Sequence, residues 1–260
     1  NPSSAASDVY KRQGKAHLKA KENGIIAGLN LVPHIFQAID PAISCKHYVA
    51  DGDSISNGQI LLTATGPVSS LLGAERIMLN YTQRLSGIAT LTKKIIKQIE
   101  GTPCKLLDTR KTTPGLRILE KYAVNIGGGF NHRMGLHDYI MLKDNHVDYC
   151  GGIKEALART SKYLKNNNLF REIEVEVRNI NEVKEALNEK NINRIMLDNF
   201  SPKMCFEAVK IINGAKEIEV SGGITEDNIR EYALSGVDFI SVGALTHSSK
   251  NLDLNFKADF

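Results

Sequence analysis

The stretch IEVEVRNINEVKEALNEKNINRIMLDN, residues 173–199, reads as strand, helix, strand. Ile173–Val177 and Arg194–Leu197 are apolar runs of strand length, and the residues near 181–189 repeat their apolar positions at helical spacing. Glu176 and Asp198 stand where the two strands end. A helix that returns the chain to a second strand of the same direction is the unit of a parallel sheet.

Outward from this unit the pattern recurs. Cys104–Leu107 and Tyr139–Leu142 precede it, Glu217–Val220 and Phe239–Val242 follow it, and helical stretches lie near 115–124, 152–165, 202–213 and 226–235. Such alternation predicts a parallel sheet curled into a barrel. A complete eight-stranded barrel typically takes about 250 residues, so residues 101–249 are expected to form an abridged α/β barrel.

Ahead of it the signals are shorter and mixed. His17–Ala20 alternates, Ile25–Leu29 is apolar, Leu31–Ile39 has helical spacing, and Gln59–Thr65 alternates before Gly66–Pro67. Ser69 or Ser70 is placed to cap a long helix that stops at Gly101-Thr-Pro103. Residues 15–100 are therefore expected to form a small α+β open-sandwich domain, with the tail 250–260 a candidate to pack on it. Residues 1–14 are polar, small and aperiodic, and read as a disordered or non-native leader.

Composition narrows the function. At 260 residues, 42% hydrophobic and 24% charged, the chain has enough apolar material for a sizeable core. No run approaches the roughly 20 apolar residues of a membrane span, and no secretory leader is apparent. Cys45, Cys104, Cys150 and Cys205 form no CxxC pair and read as single thiols in a reducing compartment, the cytoplasm. The net charge of +4 is scattered among acids, and there is no Trp for base stacking, which argues against nucleic acid and for small anionic substrates.

Polar residues fall where each strand ends: Asp108-Thr-Arg-Lys111, Lys143-Asp-Asn-His146, Glu176, Asp198-Asn199, Ser221-Gly-Gly223 and Gly243-Ala244. In βα barrels those ends converge on one face, so the series predicts one pocket. The glycine turns at Ser221–Ile224 and Gly243–His247 follow the last two strands, where barrels commonly build a phosphate site, and Ser221 and His247 can add donors. Taken singly, either turn is better explained as a tight βα connection.

Glu176 and Asp198 offer hard oxygen ligands suited to Mg²⁺, or acceptors for ribose hydroxyls; a buried ion pair with Lys143 or Arg110 is the plainer alternative. Glu174 competes with Glu176 because both face the same side of a strand, and Glu176 is chosen as nearer the strand end. Arg110, Lys111, His132, Arg133 and Lys143, with Arg76 as a further candidate, form a cationic set that calls for a polyanionic ligand. Any one of them alone would pass as a surface charge. Gly127–Gly129 lacks the GxGxxG context, His137 and His146 lack metal-ligand spacing, and Lys143 could in principle form a Schiff base.

Glu75-Arg-Ile-Met-Leu-Asn80, Leu85-Ser-Gly-Ile-Ala-Thr90, Asp108-Thr-Arg-Lys-Thr-Thr-Pro-Gly-Leu-Arg117, Lys121-Tyr-Ala-Val124, Gly127-Gly-Gly-Phe-Asn-His-Arg133, Leu142-Lys-Asp-Asn-His146, Leu197-Asp-Asn-Phe200, Ser221-Gly-Gly-Ile224 and Gly243-Ala-Leu-Thr-His247 occur in this order. Together they resemble the quinolinate phosphoribosyltransferase family. The resemblance runs from about Lys15 to about Leu254, and the segments starting at Asp108 and Gly127 are its most specific parts.

The resemblance implies that quinolinate and phosphoribosyl pyrophosphate give nicotinate mononucleotide, pyrophosphate and CO₂ with Mg²⁺, a step of NAD biosynthesis. By similarity Arg110, His132, Arg133 and Lys143 hold the quinolinate carboxylates, and Lys111 lines the same pocket. Arg76 is implied to reach in from the partner subunit of a homodimer or larger homo-oligomer. Glu176 and Asp198 would lie near ribose and metal, with Ser221, Gly222, Gly223, Gly243 and His247 at the phosphate. Lys111, Lys143, Glu176 and Asp198 are the implied catalytic set. One departure is that family members begin with an acidic helix and a Gly-Asp turn, absent from residues 1–14, so the chain is expected to be truncated or to carry a foreign leader. Rival expectations are a phosphoribosyltransferase acting on nicotinate without decarboxylation, one of the similar molybdenum-transport-associated homologues, a Schiff-base lyase, and a nucleotide- or RNA-binding module.

Overall fold

The computed structural model describes residues 12–259. The chain falls into two compact units, one made of residues up to Lys93, Ile118–Gly128 and those from Ser248 on, the other of Lys94–Arg117 and Gly129–His247.

The first unit begins with β1 (Gln13–Ala20), β2 (Gly24–Ile25), α1 (Val32–Ile39), β3 (Ser44–His47), β4 (Ser54–Ile55) and β5 (Ile60–Pro67). Gln13 and Gly14 already pair with Pro67 and Gly66, which corrects the expected leader of residues 1–14 at its last two positions; residues 1–11 lie outside the described residues. β5 lies between β1 and β3, antiparallel to both, while β2 pairs with β4. Alternate residues of β1, Ala16, Leu18 and Ala20, turn inward to join a core with Val32 and Phe36 of α1.

That core is completed by the long helix α2 (Val68–Gln98), whose Leu71, Ala74 and Met78 recur at helical spacing. The helix starts at Val68, so Ser69 and Ser70 lie inside it and do not cap it. Ser70 Oγ donates to Asp40 Oδ2 at 2.5 Å, which with the backbone N–H of Ala42 holds that carboxyl below its usual range.

The second unit is a six-stranded parallel sheet. Its strands are β6 (Lys105–Leu107), β7 (Ile140–Leu142), β8 (Ile173–Val177), β9 (Arg194–Asp198), β10 (Glu217–Ser221) and β11 (Phe239–Ser241), in the order β6-β11-β10-β9-β8-β7. Val175, Ile195, Leu197, Val220 and Ile240 are fully buried, and the alternate residues Glu174, Glu176, Arg194, Met196, Asp198, Glu219 and Ser221 share the opposite face. β6 and β7 are the two edges, so this is the abridged barrel expected.

The intervening helices are α3 (Arg117–Ile126), α4 (Asp144–Cys150), α5 (Ile153–Asn166), α6 (Ile180–Asn188), α7 (Pro202–Ile212), α8 (Ile229–Leu234) and α9 (Ala244–His247). Asn179 caps α6 by accepting from the N–H of Glu182, and Ser201 caps α7 ahead of Pro202. α4 has no counterpart in the sequence periodicity because it is only seven residues long. After α9, β12 (Leu254–Ala258) pairs antiparallel with β1 in the first unit.

The contiguous divisions at residues 100 and 249 expected from sequence differ from the observed units over 94–100, Ile118–Gly128 and 248–249; the inner segment is the largest difference. Three contacts within the first unit explain it. Arg84 pairs with the fully buried Glu120, Tyr122 Oη donates to Asp51 Oδ2 at 2.6 Å, and a Cβ on Gly127 would come within 2.5 Å of the Ala89 carbonyl. Gly127 thus serves close helix packing. Among the described residues no helix is long and apolar enough to cross a membrane.

Candidate active site

The loop after β6 is built from its buried acid outward. Asp108 is fully buried, and its Oδ1 accepts the backbone N–H of His132 at 2.8 Å. Phe130 N–H donates to Leu106 O and Asp108 N–H to Phe130 O, so the segment bearing His132 and Arg133 is tied to β6. Arg117 donates to Thr112 Oγ1, Met134 O and Arg110 O, and Thr246 Oγ1 donates to Lys111 O at 2.7 Å. These bonds order a loop with little regular structure of its own.

The strand ends of the second unit meet around one cavity of about 840 Å³, within the usual range for a small-molecule site. Arg110, Lys111, His132, Arg133, Lys143, Glu176, Asp198, Ser221, Gly222, Gly223, Gly243 and His247 all line it. Arg76 belongs to the first unit and is exposed on α2. Glu176 reaches the cavity, while Glu174 is buried one layer away against His132.

Three walls can be distinguished. The cationic wall carries Arg110, Lys111, His132, Arg133 and Lys143. Burial and the neighbouring charge of Arg110 pull Arg133 below the usual guanidinium range, and its buried Nε has no hydrogen-bond partner among the described residues. At His132 burial favours the neutral ring, but hydrogen bonds and charge from Glu174 and Glu219 outweigh it and carry the imidazole up to about 9. Such a wall repels itself when empty and is suited to an anion.

The acidic wall is Glu176 and Asp198, at the ends of adjacent strands β8 and β9. Lys143 Nζ donates to Glu176 Oε2 at 2.6 Å, and Asn199 Nδ2 donates to Asp198 Oδ2 at 2.8 Å. The third wall is made by the glycine turns. Gly222 and Gly223 have φ of +96° and +63°, and a Cβ on Gly222 would collide with the Asn199 side chain. Asn199 is itself left-handed, with φ +56°, and its N–H donates to Ser221 O at 2.8 Å.

Arg117 lines the cavity and was not singled out from sequence, and Asn199, also in the lining, was quoted at its strand end but given no role. Asn199 had a legible signal, an Asn directly after a strand-end Asp, since Asn tolerates the left-handed conformation. Arg117 acts through loop contacts that no spacing encodes. His146 accepts the Lys143 backbone N–H at α4, and His137 is an exposed partner of Asp138, so both have structural contacts.

A family model described as the N-terminal domain of quinolinate phosphoribosyl transferase matches residues 4–86, and the C-terminal domain model matches 88–257. The chain is 44% identical over 261 residues to quinolinate phosphoribosyltransferase [decarboxylating] 2b, mitochondrial, of Nicotiana tabacum, covering 95% of this chain and 74% of that protein. It is 40% identical over 241 residues to a probable nicotinate-nucleotide pyrophosphorylase [carboxylating] of Bacillus subtilis (strain 168), covering 93% and 82%. The solved nicotinate-nucleotide pyrophosphorylase of Francisella tularensis superposes with a TM-score of 0.92 at 39% identity, over 98% of this chain and 89% of that one. A strand-end pocket with three chemically distinct walls and matches spanning nearly the whole chain lead to one conclusion: the chain belongs to the quinolinate phosphoribosyltransferase family.

Proposed function

We propose that the protein transfers the phosphoribosyl group of phosphoribosyl pyrophosphate to quinolinate with decarboxylation, giving nicotinate mononucleotide, pyrophosphate and CO₂. The observation that carries this reading is the placement of five cations, two carboxylates and two glycine turns around one cavity. Arg110, His132, Arg133 and Lys143 bind the two carboxylates of the pyridine dicarboxylate, and Lys111 lines the same wall. Charge-assisted bonds of this kind contribute about 1.5–3 kcal/mol each. Ser221, Gly222, Gly223, Gly243 and His247 take the phosphate of the ribosyl donor, and the absence of a Cβ at Gly222 lets the turn close against Asn199.

Clamped in this way, the pyridine nitrogen faces the sugar carbon and needs no general base, because its lone pair is already free. Glu176 and Asp198 stabilise positive charge developing at that carbon, as carboxylates do in glycoside chemistry. The nitrogen becomes positively charged on bond formation and stabilises the electron pair left on the adjacent ring carbon when its carboxylate leaves as CO₂; that carbon then takes a proton from solvent. The cationic wall mainly orients the substrate.

Two carboxylates beside the glycine turns fit Mg²⁺, which usually takes one or two carboxylates plus phosphate oxygens and water. Glu176 and Asp198 would hold it, directly or through water, and when bound it supplies charge neutralisation for the departing pyrophosphate. We infer further a homodimer or larger homo-oligomer in which Arg76 enters the partner's pocket, and a cytoplasmic setting that suits four free thiols.

A coupled assay for nicotinate mononucleotide from quinolinate, with and without Mg²⁺, tests the reading. Turnover of quinolinate that depends on Mg²⁺ supports it; nicotinate accepted as well as quinolinate refutes the assigned substrate.

A further inference from the structure

We propose that Glu174 and Glu219 are positioning residues for this reaction: two carboxylates beneath the pocket that keep His132 an imidazolium and aim it at a substrate carboxylate. The inference rests on the function proposed above.

His132 is the one member of the cationic wall whose charge is conditional, since arginine and lysine stay charged at neutral pH without help. Its Nε2 lies 3.2 Å from Glu219 Oε1 and 3.6 Å from Glu174 Oε2. The two acids are almost wholly buried, on β10 and β8, on either side of Arg194 in β9. Beyond the imidazole and the Tyr139 phenol, both Glu174 oxygens and Glu219 Oε1 are buried with no hydrogen-bond partner among the described residues. A buried carboxylate in that state is stabilised mainly by nearby positive charge. Arg194 supplies it to Glu219 Oε2 at 3.1 Å, and for the remaining oxygens the adjacent cation is the imidazolium.

The other groups facing the ring are consistent with this. Tyr139 Oη lies 2.8 Å from Nε2, and burial raises its phenol so that it stays neutral. Asp108 fixes the backbone at His132, and Arg133 follows in sequence. Without the buried acids, a histidine among Arg110, Arg133 and Lys143 would shed its proton and weaken a wall meant for a dianion. His132, Glu174 and Glu219 also have donor atoms within 4.8 Å of one another, the grouping of a metal trio. Arg194 offsets Glu219, while burial and the charge of Glu219 push Glu174 up, so the cluster leaves at most one negative charge for the imidazolium to balance and a divalent ion would overcharge it.

The test is an NMR titration of histidine-labelled full-length protein, with the His132 ring assigned by its loss in His132→Asn. The ring should remain protonated at pH 8, and Glu219→Gln should lower its midpoint by about two units. At pH 8 the same variant should raise the quinolinate KM about tenfold with little change for phosphoribosyl pyrophosphate. A His132 ring that is neutral at pH 7 overturns the proposal, as does a Glu219→Gln variant with unchanged titration and KM. Stoichiometric first-row metal lost on His132→Asn also overturns it. Should Glu219→Gln not fold, the wild-type titration decides alone. Absence of quinolinate turnover by the wild type would sink the functional reading, while the ring titration still judges the imidazolium.

Discussion

Lys143 Nζ and Glu176 Oε2 form a 2.6 Å ion pair in which the lysine is half-exposed and the carboxylate nearly buried. The pair joins the cationic wall to the acidic one. When a substrate carboxylate arrives, Lys143 must serve both it and Glu176.

Removing the lysine should therefore cost twice. Lys143→Ala is expected to raise the quinolinate KM at least about tenfold and also to lower kcat by leaving Glu176 unpaired. Lys143→Arg should recover part of both. Steady-state kinetics on the three proteins checks this, and a change in KM alone would show that the pair is incidental.

Arg133 is expected to act on one substrate only. Its orphaned Nε and its repulsion with Arg110 mark it as a group awaiting an anion. Arg133→Ala should raise the quinolinate KM by roughly one to two orders of magnitude, as loss of a charged hydrogen bond implies. The KM for phosphoribosyl pyrophosphate should hardly move; if that constant moves instead, the cationic wall is wrongly assigned.

The two adjacent glycines should respond unequally. Gly222→Ala meets the Asn199 side chain as well as a φ of +96°, whereas nothing stands within 4 Å of a Cβ on Gly223. Left-handed strain alone costs about 1–2 kcal/mol. Gly223→Ala should thus lower Tm modestly, while Gly222→Ala should in addition raise the phosphoribosyl pyrophosphate KM. Equal effects would argue against a contact between the turn and Asn199.

Ligand-free stability should fall at alkaline pH. The folded pKa of His132 is raised from 6.5 to about 9, so its contribution is fully present below about 6.5 and is lost as pH rises through about 9. Thermal unfolding between pH 6 and 9.5 should show this decline in the wild type and a flatter profile in His132→Asn.

Shared pockets predict complementation. Arg76→Ala and Arg110→Ala should each be nearly inactive as pure oligomers and regain activity when mixed subunits form. No recovery in verified mixed oligomers would remove Arg76 from the site.

The alternation of strands and helices was legible without coordinates, because periodicities of 2.0 and 3.6 are local consequences of backbone geometry. The sequence also marked the strand ends, since a polar residue closing an apolar run is visible in it. Glu176, Asp198 and Gly223 were legible on that ground. Only tertiary structure decided that Ile118–Gly128 belongs with the first unit, because Arg84 and Glu120 find each other across 36 positions of chain. Strand period leaves Glu174 and Glu176 equivalent, and nearness to the strand end was the one ground in the sequence for choosing Glu176. Their depths differ because one lies beneath His132 and the other opens to the cavity. Burial, and the charges that gather there, are properties of the folded surroundings and not of any single stretch of chain.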